Sequence, residues 1–137
     1  MPTNSFAIGD LVNDNGTVYY IAPNNVKIPF TSLAAFKGLG YSLNNVVPGD
    51  LSNYTLSQPY ILSSPTQDHP WSSWLVYKKT VYYYTQDGML PVSSWDIFLA
   101  NGGQPKYLIA MNKQDLAQLK SKPALPIVVE NDSRVAR

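Results

Sequence analysis

The sequence predicts an α+β fold made of two tandem β-rich repeat units, each a small antiparallel sheet with a short helix packed on it. The chain states one pattern twice. Val18-Tyr19-Tyr20-Ile21, Pro29-Phe30-Thr31-Ser32, Phe36 and Gly40 return as Val81-Tyr82-Tyr83-Tyr84, Pro91-Val92-Ser93-Ser94, Phe98 and Gly102. The first block shifts by 63 positions and the others by 62, so one residue is lost between the strands, where a turn absorbs it. Self-similarity at a fixed spacing is the mark of a repeat architecture. The two tyrosine blocks are rich in strand formers. Eleven Pro and eight Gly supply frequent turns.

Unit 1 is expected over 6–56. Ile8 to Val12 is a short strand. Asn13-Asp14-Asn15-Gly16 is a dense turn signal, and Asn-Gly suits a hairpin. Thr17 to Ala22 is the central strand, Pro23-Asn24-Asn25 the next turn, and Val26 to Phe30 the returning strand. Its Pro29 is tolerated at an edge or a strand end. Ser32 is a natural N-cap for a helix over Leu33 to Leu39, stopped by Gly40. Leu33 and Phe36 are three apart and share a helix face. Val46-Val47 is a further strand, and Asp50 caps one helical turn reaching Tyr54. Alternation puts Val18 and Tyr20 on one sheet face and Tyr19 and Ile21 on the other. Both faces are therefore expected to be at least partly covered.

Residues 57–70 carry Pro59, Pro65 and Pro70 and read as a semi-rigid linker. Unit 2 is expected over 71–129. Trp74 to Tyr77, Thr80 to Thr85 and Met89 to Val92 are its strands, with Gln86-Asp87-Gly88 as a tight turn. Ser94 caps a helix over Trp95 to Asn101, with Asp96 favourable in its first turn. Tyr107 to Met111 is a strand. Asn112 with Asp115 is a capping arrangement for a helix over Lys113 to Lys120, stopped by Pro123. Leu125 to Val129 is a last strand or an extended segment, and 130–137 a flexible tail.

Composition narrows the function classes. The chain has 137 residues and a formal net charge of +1, with only 14% charged residues. Nucleic-acid binding calls for a clustered basic face, so it is not expected. Cys is absent, which removes disulfides and thiolate metal sites. No apolar run approaches the roughly 20 residues that span a bilayer, so membrane insertion is not expected. The start Met1-Pro2-Thr3-Asn4 is polar and has no signal-peptide pattern. It reads as a start inside a linker, so the chain is expected to be a fragment of a longer protein.

The stretch Val18-Tyr19-Tyr20-Ile21, Val26-Lys27-Ile28-Pro29-Phe30, Phe36, Leu39-Gly40-Tyr41, Val46-Val47 and Asp50-Leu51-Ser52-Asn53-Tyr54 resembles a tandem repeat of bacterial secreted and cell-surface proteins. That repeat has a Tyr strand, a Lys-Arg-Pro-Phe-type strand, then Ser, Phe and Gly-Tyr. Unit 2 departs from it at Met89-Leu90, where the basic pair would stand, and at Gly102-Gly103 in place of Gly-Tyr. The resemblance implies tandem modules found beside S-layer, adhesin or hydrolase domains, with no chemistry of their own.

The residues themselves offer little catalysis. His69 is the single histidine, next to Asp68 and near Ser63 and Ser64. A Ser-His-Asp triad converges from separate elements, whereas these groups are neighbours in the expected linker; His69 is read as solvated. One histidine cannot supply a metal site. Around Gly16 an EF-hand count puts Leu11 at the first ligand position, so the calcium reading fails. Gly38-Leu39-Gly40 ends a helix, the wrong polarity for a phosphate loop. No catalytic residue, metal or cofactor is assigned.

The aromatics, 12% of the chain, are the recognition candidates, because Tyr and Trp join an apolar body to a polar tip. Tyr19, Tyr82, Tyr84 and Trp95 are the candidate ligand-binding residues. The expected function is a non-catalytic, extracellular binding or attachment module of a bacterial cell-surface protein. Its partner would be a cell-wall glycan or a surface protein, and homo-association is possible. The alternatives are a structural part of an S-layer or filament, or an accessory domain of a secreted hydrolase.

Overall fold

The computed structural model describes residues 6–122 and 129–136. The expected strand over Leu125 to Val129 and the stop at Pro123 fall almost wholly outside them. The chain divides into two compact units, Met1–Pro65 and Thr66–Arg137.

Unit 1 holds a five-stranded sheet. Its strands are β1 (Leu11–Asp14), β2 (Thr17–Ala22), β3 (Val26–Pro29), β4 (Val46–Pro48) and β5 (Thr55–Leu56), in the order β4-β1-β2-β3-β5. The helix α1 (Leu33–Gly38) lies between β3 and β4. Unit 2 holds β6 (Trp74–Tyr77), β7 (Thr80–Thr85), β8 (Gly88–Val92) and β9 (Leu108–Ala110), in the order β8-β7-β6-β9, with α2 (Trp95–Ala100) and α3 (Lys113–Ser121). The α+β class of two β-rich units is as expected.

The strand pairing makes the duplication concrete. Leu11 faces Tyr20, and Trp74 faces Tyr83. Tyr19 faces Pro29, and Tyr82 faces Pro91. Leu11 pairs with Val46, and Trp74 with Leu108. The shift is 63 up to the β2 and β7 strands and 62 after them. The lost residue lies in the turn, where Pro23-Asn24-Asn25 becomes Gln86-Asp87.

Four expectations about the architecture are corrected. The sheets are mixed: β4 joins β1, β5 joins β3 and β9 joins β6 in parallel. The chain must cross back through α1 or α2 to reach the first strand, and such a crossover enforces parallel pairing. The second helix of unit 1 is absent. Asp50 accepts a bond from the Ser52 amide and Tyr54 closes a turn onto Leu51, and the chain then extends into β5. Residues 57–70 are no free linker. Leu62 is fully buried and bridges Phe30, and His69 is buried in unit 2. The tail is no frayed end within its described part, 130–136: Asp132 and Val135 are buried, and Val135 packs with Trp74 and Tyr83.

Local chemistry fixes the short helices. Ser32 and Ser94 accept the amides of Ala35 and Ile97, each satisfying an open helix-start donor. Gly40 follows α1 with φ +96°. Asn112 and Asp115 form a full capping box on α3.

Each sheet is covered on both faces. On the helix side of unit 1, Phe30 meets Phe36 edge-on at 5.0 Å and Tyr41 at 5.1 Å. On the helix side of unit 2, Trp74 meets Phe98 edge-on at 5.0 Å and Tyr83 at 4.7 Å. Such pairs add about 0.5–1.5 kcal/mol each beyond burial. On the opposite face of unit 1, Val12, Ile21 and Leu51 form an apolar cluster with Phe6, Tyr19 and Tyr54. The opposite face of unit 2 is polar at the matching place.

Candidate functional site

The start of α1 forms a cleft of about 300 Å³. Val18 of β2, Phe30 just after β3 and Phe36 of α1 give it an aromatic and aliphatic lining. Leu33 and Leu43 line it too, and both are about half exposed. Gly16, Thr17, Thr31 and Ser32 complete it, so no charged side chain lines the cleft. Local sequence explains the shape. Ser32 must stand at the N-cap to close the first turn, which places Leu33 at the first helical position, where a side chain points away from the core. Phe36, three residues on, turns inward and is 2% exposed.

Unit 2 repeats the arrangement with a different side chain. Trp95 occupies the position of Leu33, after the capping Ser94, and is 48% exposed against 55% for Leu33. Its ring lies 4.9 Å from that of Phe98, the counterpart of Phe36. Leu99, one turn further along α2, is also exposed.

The four sequence candidates do not converge. Trp95 lies on the helix side of unit 2, and Tyr82 and Tyr84 lie on the opposite face of β7, as strand alternation requires. Tyr82 is half-buried. Tyr84 is 1% exposed, and its hydroxyl donates to Asp68 at 2.8 Å. It is therefore corrected from a surface recognition residue to a core residue. Its phenol is pushed above its ordinary value, first by burial and then by the Asp68 carboxylate. Tyr19 is half-buried on unit 1, with the Lys27 ammonium 5.0 Å from its ring centre. Lys27 also donates to the Leu51 carbonyl, which holds the cation over the ring.

His69 is corrected as well. Its side chain is buried, and Nδ1 lies 2.5 Å from Oδ2 of Asp115. The His69 amide donates to the other oxygen of the same carboxylate, and the Asn112 amide donates to Oδ2. Asn112 in turn donates to the Gln67 carbonyl. This network ties the entry segment of unit 2 to α3, whose single buried residue is Asp115. The histidine ring has no open face toward solvent. Among the described residues, no group of three or more His, Cys, Asp or Glu side chains converges as a metal cage would need.

The expected shared face of Leu33 and Phe36 is corrected, since Leu33 at the first helical position is exposed and Phe36 is buried, and sequence reasoning missed Leu43 and the cleft. The shift of 62 that aligns Leu33 with Trp95 was the available signal. The His69–Asp115 pair left none, because its partners are 46 residues apart. Comparison with protein-family models, curated proteins and solved structures finds no match to this chain.

Proposed function

We propose that this chain is a non-catalytic, tandem binding module that attaches a bacterial cell-surface protein to a cell-wall glycan or to a neighbouring surface protein. One observation carries the reading: both units hold a large apolar side chain in solvent at the same helix position, Leu33 and Trp95. A repeated exposed apolar group next to a cleft is what an interaction site needs. Trp is the residue most enriched at binding hot spots, and its flat ring also stacks on sugars. The neutral cleft suits an uncharged ligand. The resemblance to tandem surface repeats supports the same reading, and with it the extracellular location.

The structural-subunit alternative requires strand edges that copies can extend. The edge strands β4, β5 and β9 have only three, two and three residues, and the fourth edge, β8, has five with Pro91 inside it; short strands and an edge proline both blunt strand addition. The attachment reading therefore stands first.

Sedimentation of the purified chain over a concentration series, with and without insoluble bacterial cell wall, tests it. The expected result is a monomer that pellets with the wall. Trp95→Ala and Leu33→Ser each weaken pelleting by about tenfold, the effect of losing one hot-spot contact. A monomer that ignores the wall overturns glycan attachment. Self-association without the wall moves the structural-subunit reading to first place.

A further inference from the structure

We infer that Asn15 is a site of spontaneous covalent modification: its side-chain amide is lost to the backbone nitrogen of Gly16, leaving a carboxylate at the mouth of the unit 1 cleft. The chain contains two Asn-Gly pairs, Asn15-Gly16 and Asn101-Gly102, which provide an internal comparison.

Asn15 and Gly16 form the tip of the β1–β2 hairpin, with φ of 55° and 96°. Both are exposed. The Asn15 carboxamide makes no hydrogen bond among the described residues, so it is free to rotate toward the following nitrogen. A Cβ built on Gly16 would meet nothing within 4 Å, so nothing crowds the approach. The one restraint is the Gly16 amide, which donates to the Asn13 side-chain oxygen at 2.9 Å. Asn13 is itself exposed, so water competes for that bond.

Asn101 is the opposite case. It is 2% exposed. Its side-chain nitrogen donates to the Ile97 and Val129 carbonyls, and its side-chain oxygen accepts the Asp132 amide. The carboxamide is fixed at both ends and cannot swing onto Gly102.

The step balances without any added reagent but water. A solvent base takes the Gly16 amide proton. The nitrogen forms a bond to the Asn15 side-chain carbon, and the carbon–nitrogen bond of the carboxamide breaks. Ammonia leaves with a proton from solvent, giving a five-membered imide. Water then opens either ring carbonyl. One opening leaves aspartate at position 15; the other leaves isoaspartate, with the chain running through the side chain. No electron is transferred. Gly16 also lines the cleft, so either product sets a negative charge beside a lining that has none. The effect of that charge on ligand binding rests on the proposed attachment function; the modification itself does not.

The intact protein is incubated at mildly alkaline pH in heavy-oxygen water, digested, and mapped by mass spectrometry. The expected result is heavy oxygen at Asn15, faster at higher pH, with Asn101 slower by about tenfold or more, the factor for one net hydrogen bond of added barrier. Asn13→Ala frees the Gly16 nitrogen and accelerates labelling. Equal labelling at both pairs, or none at Asn15, overturns the inference. The same incubation after unfolding in urea should erase the difference between the pairs; a difference that persists there also overturns it, because it then owes nothing to the fold. These readings need no ligand. Wall pelleting of Asn15→Asp is a separate reading that fails only with the attachment site.

Discussion

Unit 1 and unit 2 solve the same packing problem with different atoms. Under α1, unit 1 places a small Leu11 on the strand and a bulky Tyr41 after the helix; under α2, unit 2 reverses the sizes, with Trp74 on the strand and Gly103 after the helix. A Cβ at Gly103 would fall 2.3 Å from the Phe98 ring. Phe98 thus settles where Tyr41 would stand, and Trp74 fills the space left on the strand side. On the other sheet face the contrast is chemical. Phe6 and Ile21 pack with Val12 and Leu51 in unit 1. At the positions of Phe6 and Ile21, unit 2 has His69 and Tyr84, which bond Asp115 and Asp68. The comparison teaches that the backbone register is shared, whereas volume and polarity are exchanged between sites that touch.

All three Trp residues, Trp71, Trp74 and Trp95, belong to unit 2. Tryptophan fluorescence therefore follows unit 2 alone, and far-ultraviolet circular dichroism follows both units. The largest expected break is Asp115→Ala. It leaves the buried His69 ring without its carboxylate and costs about 3–5 kcal/mol. Urea melts should show the fluorescence transition moving far more than the rest of the dichroism signal. The double change His69→Phe with Asp115→Leu imports the apolar solution of unit 1 and recovers most of that loss, since an apolar replacement of a buried pair is often neutral or better. No recovery would mean that the polar network is itself required by α3.

A second pair sharpens the exchange of volume. Trp74→Leu opens a cavity, and Gly103→Tyr overpacks Phe98; alone, each destabilises unit 2 by about 1–5 kcal/mol. Together they reproduce the Leu11 and Tyr41 arrangement and are expected to cost less than their sum by about 1–3 kcal/mol. Additive losses would show that the two positions are not coupled. This cycle is read by dichroism in urea and by the joint emission of Trp71 and Trp95, because it removes Trp74.

The smallest effect is set by pH. The Tyr84 phenol is raised above its ordinary value of 10.0, by burial first and Asp68 second. The folded state therefore holds that proton more tightly than the unfolded chain. The contribution is complete below pH 10.0 and declines as pH rises beyond it. The fluorescence melting temperature of unit 2 should fall over that range, and Tyr84→Phe should flatten the slope. Ile21 stands at the matching position, so unit 1 lacks this source of alkaline sensitivity.

Much of this fold was legible where its cause is local. The hairpins follow from turn residues and strand formers, the helix starts from Ser32 and Ser94, and the α3 capping box from Asn112 and Asp115. Boundaries moved by a few residues at β1, because Asn13 and Asp14 continue the strand and the turn needs only Asn15 and Gly16. Non-local pairings were not legible. Parallel addition of β4 and β5, the burial of Leu62, and the His69–Asp115 pair all join residues distant in sequence. Tyr84 was read as a recognition residue because nothing local shows that the entry segment, through Asp68, covers it. At the candidate site, Trp95 was found as an aromatic, whereas Leu33 was set on the face of Phe36, because three-residue spacing on so short a helix does not reveal which of the two turns to solvent.

The turn after the second strand has a consequence for anyone wishing to reshape this protein. Between otherwise matching strands it holds three residues in one unit and two in the other, and the pairing of Tyr19 with Pro29 and of Tyr82 with Pro91 is undisturbed. A length change there stays inside the loop and does not propagate into the ladder. Pro23-Asn24-Asn25 is thus a natural socket for grafted sequence: an epitope, a cleavage site or a fluorophore tether can be spliced in while the flanking strands keep their partners.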